Sequence, residues 1–348
     1  MPSNLLDLSL DQLTEQCKEL GQPPFRARQI FDWVYQKYQL DPGRMNNLPA
    51  GFLKDLSRVL EWSPAEITAR TGEPSEAQKF LLRLNDGQQV ESVLIPGPGR
   101  LTACLSSQAG CKFACRFCAS GIGGWQRDLT AGEILAQLIL LQQAEQRISH
   151  VVMMGTGEPL DNLGHVLPAL ERINDPAALN IAARRITVST CGIVPGIRRL
   201  AEFGRQIELA VSLHAPDNTL RDRLIPVNKK YPLEKLLAAC REYVQKTRRQ
   251  ITFEYIVIPG VTDTPDAVVK LAALLKGLLC KVNIIPYNPV AEFNWKMPSR
   301  NDVYRFRDAL AEQKITSTIR WSKGTGANGA CGQLRGSVGP SQMGANDD

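Results

Sequence analysis

From about residue 101 onward, short apolar runs rich in β-branched residues alternate with helical stretches. This alternation limits the possible folds more than any other feature of the chain. The runs are 101–105, 150–154, 185–189, 208–213, 252–257 and 282–286. Stretches with helical character near 131–146, 164–173, 194–203, 233–246, 265–278 and 301–313 fall between or after them. Strand followed by helix, repeated, predicts a parallel sheet with covering helices, because parallel neighbours need a crossover connection. Six units fall short of the eight that close a barrel. The expected class is therefore α/β, a partial, open β/α barrel of about six units. In such folds the reactive groups gather at the C-terminal ends of the strands.

The first 100 residues read differently. Leu5, Leu8, Leu13 and Leu20 lie one or two helical turns apart, and Ile30, Val34 and Tyr38 repeat at four-residue intervals. ProPro at 23–24 and AspProGly at 41–43 punctuate the segment. We expect a small helical N-terminal domain over 1–70. Within 71–99, PheLeuLeuArgLeu at 80–84 and ValGluSerValLeuIlePro at 90–96 flank AsnAspGly, which predicts a β-hairpin connector. The open barrel then spans 100–335. The tail 336–348 is small and polar, and is expected to be disordered.

The chain has 348 residues, 43% of them hydrophobic and 22% charged, ordinary values for a soluble globular protein. No run of about 18 apolar residues is present, and the N-terminus lacks the basic start and apolar core of a signal peptide. A cytoplasmic protein without membrane contact is expected. Nine cysteines in such a setting read as metal-binding or catalytic thiols, not a disulfide framework. Net charge is +6 but uneven: residues 181–250 carry 14 Lys/Arg against 6 Asp/Glu, while residues 1–70 carry 8 against 9. The basic segment suits either a solvated surface or a polyanionic partner, since clustered cations gain from counterion release at phosphates.

Cys111, Cys115 and Cys118 form a C-x3-C-x2-C spacing on the loop after the first barrel strand, where chemistry is expected. Three thiolates on one loop can hold three irons of a cubane iron–sulfur cluster and leave the fourth open to a ligand. Cluster potentials reach about −700 mV, low enough for demanding one-electron reductions. Structural zinc sites usually pair C-x2-C with a second such pair, and the sequence has none.

Further motifs accompany this loop: ValGluSerValLeuIlePro at 90–96, CysLeuSerSerGlnAlaGlyCys at 104–111, GlyThrGlyGluProLeuAspAsn at 155–162, SerLeuHisAla at 212–215, ProTyrAsnPro at 286–289 and AlaCysGlyGlnLeu at 330–334. With them the chain resembles the radical S-adenosylmethionine (SAM) superfamily, and within it the RlmN family of adenosine carbon-2 RNA methyltransferases. The resemblance covers about residues 4–336. It implies one [4Fe–4S] cluster on Cys111, Cys115 and Cys118, and two SAM molecules per turnover. It implies SAM contacts from Gly157, Glu158, Ser189, Ser212, Leu213, His214 and Asn288.

The same resemblance assigns the catalytic groups. Cys331 takes a methyl from one SAM. A 5′-deoxyadenosyl radical from a second SAM removes hydrogen from that methyl, and the carbon adds to adenine carbon 2. Glu91 is the implied proton acceptor, and Cys104 frees the product by forming a disulfide with Cys331. The implied partners are 23S rRNA in its peptidyl transferase region, tRNA beside the anticodon in some members, and a reductant such as flavodoxin or ferredoxin. A monomer is expected. Thr156 stands where Met is common, and 324–329 departs from the familiar acidic and aliphatic run. Of the remaining thiols, Cys17, Cys240 and Cys280 read as structural, the last two on apolar helical stretches, and the role of Cys191 stays open. The alternatives are the related carbon-8 methyltransferase of the antibiotic-resistance type and, in another class, an iron–sulfur electron carrier or RNA-binding protein.

Overall fold

The computed structural model describes residues 3–144, 147–321 and 332–334. Three helices open the chain: α1 (Leu10–Glu19), α2 (Phe25–Tyr35) and α3 (Ala50–Val59). Ser9 and Gln12 close a reciprocal capping box at the start of α1, satisfying two otherwise orphaned N–H groups. Ile30 and Val34 of the predicted stripe are buried on α2, whereas Tyr38 lies beyond the helix end with φ +54°. These helices share one hydrophobic core with the rest of the chain. The Gly132 N–H, in the first turn of α4 (Ala131–Ala144), donates to Asp7 Oδ1 at 2.6 Å. A carboxylate there suits a helix N-terminus, where unpaired N–H groups point outward.

Among the described residues the main sheet has ten strands and is open. In chain order they are β1 (Ala65–Thr71), β2 (Gln78–Leu84), β3 (Gln89–Gly97), β4 (Arg100–Cys104), β5 (His150–Met153), β6 (Ile186–Thr190), β7 (Glu208–Ser212), β8 (Ile251–Val257), β9 (Cys280–Pro286) and β10 (Ser317–Ile319). Their spatial order follows the sequence. β1 to β4 are antiparallel, and β4 to β10 are parallel. All six strands expected for the barrel are present. The hairpin at 71–99 supplies β2 and β3, and β3 pairs with β4 through Val93–Cys104 and Leu94–Ala103, so it continues the barrel sheet.

Six further helices cover the parallel part: α5 (Leu163–Asn174), α6 (Val194–Glu202), α7 (Asn218–Leu224), α8 (Leu233–Thr247), α9 (Pro265–Leu275) and α10 (Arg300–Glu312). Side chains alternate between faces along a strand. Ile186 and Val188, Leu209 and Val211, Phe253 and Tyr255, and Val282 and Ile284 enter the core against the helices. The concave face is instead mixed, with Thr187, Thr252, Asn283 and Thr318 among the apolar residues that line an open groove. A closed barrel fills that space with branched apolar side chains. Two expectations need correction: Cys280 opens β9 and is not on a helix, and the helical character expected over 1–70 ends at Val59, with Ala65–Thr71 forming β1 of the sheet. Gly277, with φ +76°, lies just past the end of α9, a conformation that glycine adopts without steric cost.

Candidate active site

The cysteine loop is held at the top of the sheet by a two-stranded ribbon, Gln108–Gly110 against Trp125–Asp128. Gly110 adopts φ +75°, and a Cβ there would lie 2.0 Å from the Gly124 carbonyl oxygen, so only glycine permits this closure. Inside the loop, the Cys118 N–H donates to the Cys115 carbonyl (3.1 Å) and the Arg116 N–H to the Leu224 carbonyl at the end of α7 (2.9 Å). Burial pushes the Cys111 thiol up to about 12, and raises Cys115 far above the ordinary thiol range. The neighbouring thiols push both in the same direction. Binding of cations reverses this, because a coordinated sulfur loses its proton outright.

Cys111, Cys115, Cys118, Gly157, Glu158, Ser189, Ser212 and His214 line one cavity of about 160 Å³. Gly157 has φ +104°, and a Cβ there would meet Gln108 Cβ at 2.6 Å. Glu158 is buried, which raises its carboxyl above the usual range. Its Oε2 accepts from the Cys191 N–H (2.6 Å) and its Oε1 from the Leu160 N–H (3.0 Å). The Cys191 and Thr190 side chains also hydrogen-bond to this carboxylate, so an incoming ammonium would share or displace one of these donors. Leu213 is fully buried in the core, so it reaches the site only through its main chain. Asn288 is buried just past β9 and is not part of the cavity wall. At Thr156 the main chain does the work: its carbonyl accepts from Ser107 and Gln108, so its departure from Met falls on a side chain those bonds do not use.

His214 has φ +55°, and its Nδ1 accepts from the Ile256 N–H at 3.1 Å. Burial, then the nearby Arg221 guanidinium, lowers its pKa to about 3. The unfolded chain therefore takes up this proton near pH 6.5 while the folded protein resists it until about 3, and stability falls as pH drops through that window. Relative to His214→Asn, which tolerates positive φ, the wild-type cofactor-free protein is expected to lose up to about 1.4 kcal/mol per pH unit on acidification below about 6.5. Urea unfolding from pH 7 to about 5 checks this, and parallel curves for the two proteins contradict it.

Arg221 escaped the sequence reading. It is a wholly buried arginine on α7. Its guanidinium donates to the Cys191, Ser212 and Leu213 carbonyls (2.7, 3.0 and 3.1 Å) and to Asn228 Oδ1 (2.8 Å). It thus ties the ends of β6 and β7 beneath the cavity and places a positive charge behind the thiols. Gln108 was also missed; its Oε1 accepts from the Glu158 N–H at 2.9 Å.

Cys104 and Glu91 stand beside this cavity. Cys104 lines a larger groove of about 960 Å³ that shares Met154, Glu254, Ile285 and Arg320 with it. Glu91 is buried, lines neither space, and pairs with Lys79 Nζ at 2.8 Å. It lies on the same face of β3 as Val93, the register partner of Cys104. Cys331 and the variant stretch 324–329 lie outside the described residues. The neighbouring 332–334 are described: the Gly332 carbonyl accepts from the Ala119 N–H (2.7 Å), Ser120 Oγ donates to the Leu334 carbonyl (2.8 Å), and Leu334 packs on Cys104.

Three thiols on one loop, a partly open cavity and a buried carboxylate fit an iron–sulfur cluster with an amino-acid ligand. Among the described residues no three His, Cys, Asp or Glu side chains converge on a single ion; a cubane does not require that, because each thiolate binds its own iron.

This arrangement defines a radical SAM protein. Residues 105–272 match the radical SAM superfamily, and residues 3–61 match the ribosomal RNA large subunit methyltransferase N-terminal domain. A probable dual-specificity RNA methyltransferase RlmN of Symbiobacterium thermophilum is 47% identical over 346 residues, 97% of this chain and 92% of the relative. A second, from Dictyoglomus thermophilum, is 42% identical, covering 96% of this chain and 97% of the relative. The crystal structure of a radical SAM methyltransferase from Sphaerobacter thermophilus superposes with a TM-score of 0.94 at 42% identity, covering 97% of this chain and all of the other. The chain belongs to the RlmN family of dual-specificity RNA methyltransferases. Its cofactors are those of the family, a [4Fe–4S] cluster and SAM.

Proposed function

We propose that this chain methylates carbon 2 of adenosine in the peptidyl transferase region of 23S rRNA and beside the tRNA anticodon, with the methyl carried on Cys331 and released by Cys104. The observation that carries this reading is the seating of 332–334. Gly332 is bonded to Ala119, the residue after Cys118, and Leu334 rests on Cys104. The chain next to Cys331 therefore lies between the cysteine loop and the second thiol.

Cys111, Cys115 and Cys118 would hold the cluster, with Gly157, Glu158, Ser189, Ser212, His214 and the main chain of Leu213 holding SAM; Asn288, outside the wall of that cavity, is not assigned a contact. Together the two cofactors supply a carbon radical able to remove hydrogen from a methyl group. The chain's own residues do the rest. The Cys331 thiolate displaces a methyl from SAM sulfur, a step that needs a thiolate nucleophile. Hydrogen removal leaves the carbon on Cys331 sulfur, and it adds to adenine carbon 2. The adduct then gives up one electron, for which the oxidised cluster on Cys111, Cys115 and Cys118 would be the acceptor, and Glu91 accepts the carbon-2 proton. The Cys104 thiolate then attacks Cys331 Sγ, an S–S bond forms, the S–C bond breaks, and the released carbon takes a proton. Lys79 Nζ stands 2.8 Å from Glu91 Oε1.

A one-electron reductant of the flavodoxin or ferredoxin type, a monomeric state and a cytoplasmic setting complete the reading. Among the described residues no helix is long and apolar enough to cross a membrane. Chromatography and mass analysis of nucleosides from treated rRNA and tRNA test the proposal. It predicts 2-methyladenosine from both. 8-Methyladenosine, or no methylated adenosine, contradicts it.

A further inference from the structure

The seven parallel strands give the open barrel two mouths. The cysteine loop occupies one. Residues that precede or open the strands gather at the other, and there Arg100, Arg184, Arg185, Arg248 and Lys281 line the groove of about 960 Å³. Its size lies near the top of the range for ligand pockets, about 300–1,000 Å³. The groove reaches the cofactor cavity at the far end of the strands through the shared Met154, Glu254, Ile285 and Arg320.

At its outer end the groove meets a third cavity, of about 880 Å³, at Arg185, which lines both. This cavity lies between the helical segment and the sheet, and Lys37, Arg44 and Arg147 add further positive charge. The carboxylates along the path are already engaged. Glu208 pairs with Arg249, Asp41 stands 3.7 Å from Arg44, and Glu254 Oε2 accepts from Asn283 at 2.7 Å. Arg184, Arg185 and Arg248 are exposed.

Backbone conformation marks the same path independently. Among the described residues, seven non-glycine positions adopt positive φ. Ala114 and His214 belong to the cofactor site, and Tyr38, Arg147, Asn180 and Arg248 line the basic path. Arg248 takes this conformation as the left-handed cap that ends α8 and Asn180 tolerates it; for Tyr38 and Arg147 it is unfavourable, and such positions concentrate where function holds them in place.

We infer that this continuous trough seats the RNA phosphate backbone on both sides of the target nucleoside, and that the base reaches the radical site through the N-terminal mouth of the barrel. The inference rests on the RNA methyltransferase reading. The base must leave its stack to enter, as in other enzymes that act on nucleobases, and the polar Thr187, Thr252 and Asn283 offer hydrogen-bonding partners along the way.

The test measures binding of a stem-loop RNA, with the target adenosine in its loop, across a salt series to holoenzyme. The variants are Arg184→Gln with Arg185→Gln, Lys37→Gln with Arg147→Gln, and, as a control, Arg198→Gln with Arg199→Gln on the outer face of α6. Both trough variants are expected to bind more weakly, with a log K against log salt slope shallower by about 0.7–0.9 per charge removed. The control should match wild type. Formation of 5′-deoxyadenosine without RNA should be unchanged in all, because none of these residues lines the cofactor cavity. Wild-type affinity and slope in both trough variants, or equal losses in the control, overturn the route while wild-type methylation stands. A wild-type protein that neither binds nor methylates the RNA overturns the function reading itself.

Discussion

Alanine at Cys115 abolishes radical formation: the purified variant lacks the visible absorbance of the cluster, and its 5′-deoxyadenosine output falls by about three orders of magnitude or more. The loop offers three thiols, so losing one leaves two protein ligands for four irons. A cubane so held exposes a second iron and is open to oxidative loss. The fold is expected to survive, because Cys115 is only partly buried and the change falls in a loop. Substitutions of that kind usually stay within about 1 kcal/mol in stability. Cys240→Ala supplies the contrast. That thiol is fully buried on α8, so the change should cost stability yet keep cluster and activity. A Cys115→Ala protein with an intact cluster and normal SAM cleavage removes the loop from the chemistry.

Alanine at Cys104 has a different and equally large effect. The steps up to carbon–carbon bond formation do not use Cys104, so they proceed, but no thiolate then attacks Cys331 Sγ. The protein should accumulate covalently joined to RNA, as a slow-migrating band removed by nuclease, with steady-state turnover lost. Cys104 ends β4 beside Val93 and Leu334. Alanine fits that apolar setting, so failed folding does not supply an easy alternative explanation. Free methylated RNA at the wild-type rate, without adduct, eliminates the disulfide step.

Much of the fold was legible because the strand–helix alternation is long and regular. β5, β6, β8 and β9 carry two to four β-branched residues each, and β4 and β7, with one each, stand out by their place between helical stretches. β10, the short ribbon around the cysteine loop and α7 were not legible. They span three, three and four, and seven residues, too short for periodicity to register. Tertiary pairing makes them: β10 exists because β9 offers it an edge.

The cysteine loop was legible from spacing alone, since few uses need three thiols in eight positions. Arg221 was not. In the sequence it is one cation in a basic stretch, and only the packing of α7 under β6 and β7 turns it into a buried charge gathering three carbonyls. The basic groove falls between these cases. The doublets at 184–185 and 248–249 were visible as charge, but the fold decides that both precede strands and so share one mouth. The control pair, 198–199, reads identically in sequence and lies on the outer surface of a helix.

The central claim is that the methyl passes through a protein thiol and loses a hydrogen before it meets the RNA. Turnover with SAM carrying a trideuterated methyl tests it most directly, with mass analysis of both products. The mechanism predicts one deuterium in 5′-deoxyadenosine and two in the RNA methyl group. An RNA methyl that keeps all three, with unlabelled 5′-deoxyadenosine, would mean direct transfer from SAM to adenine and would contradict the role given to the two thiols.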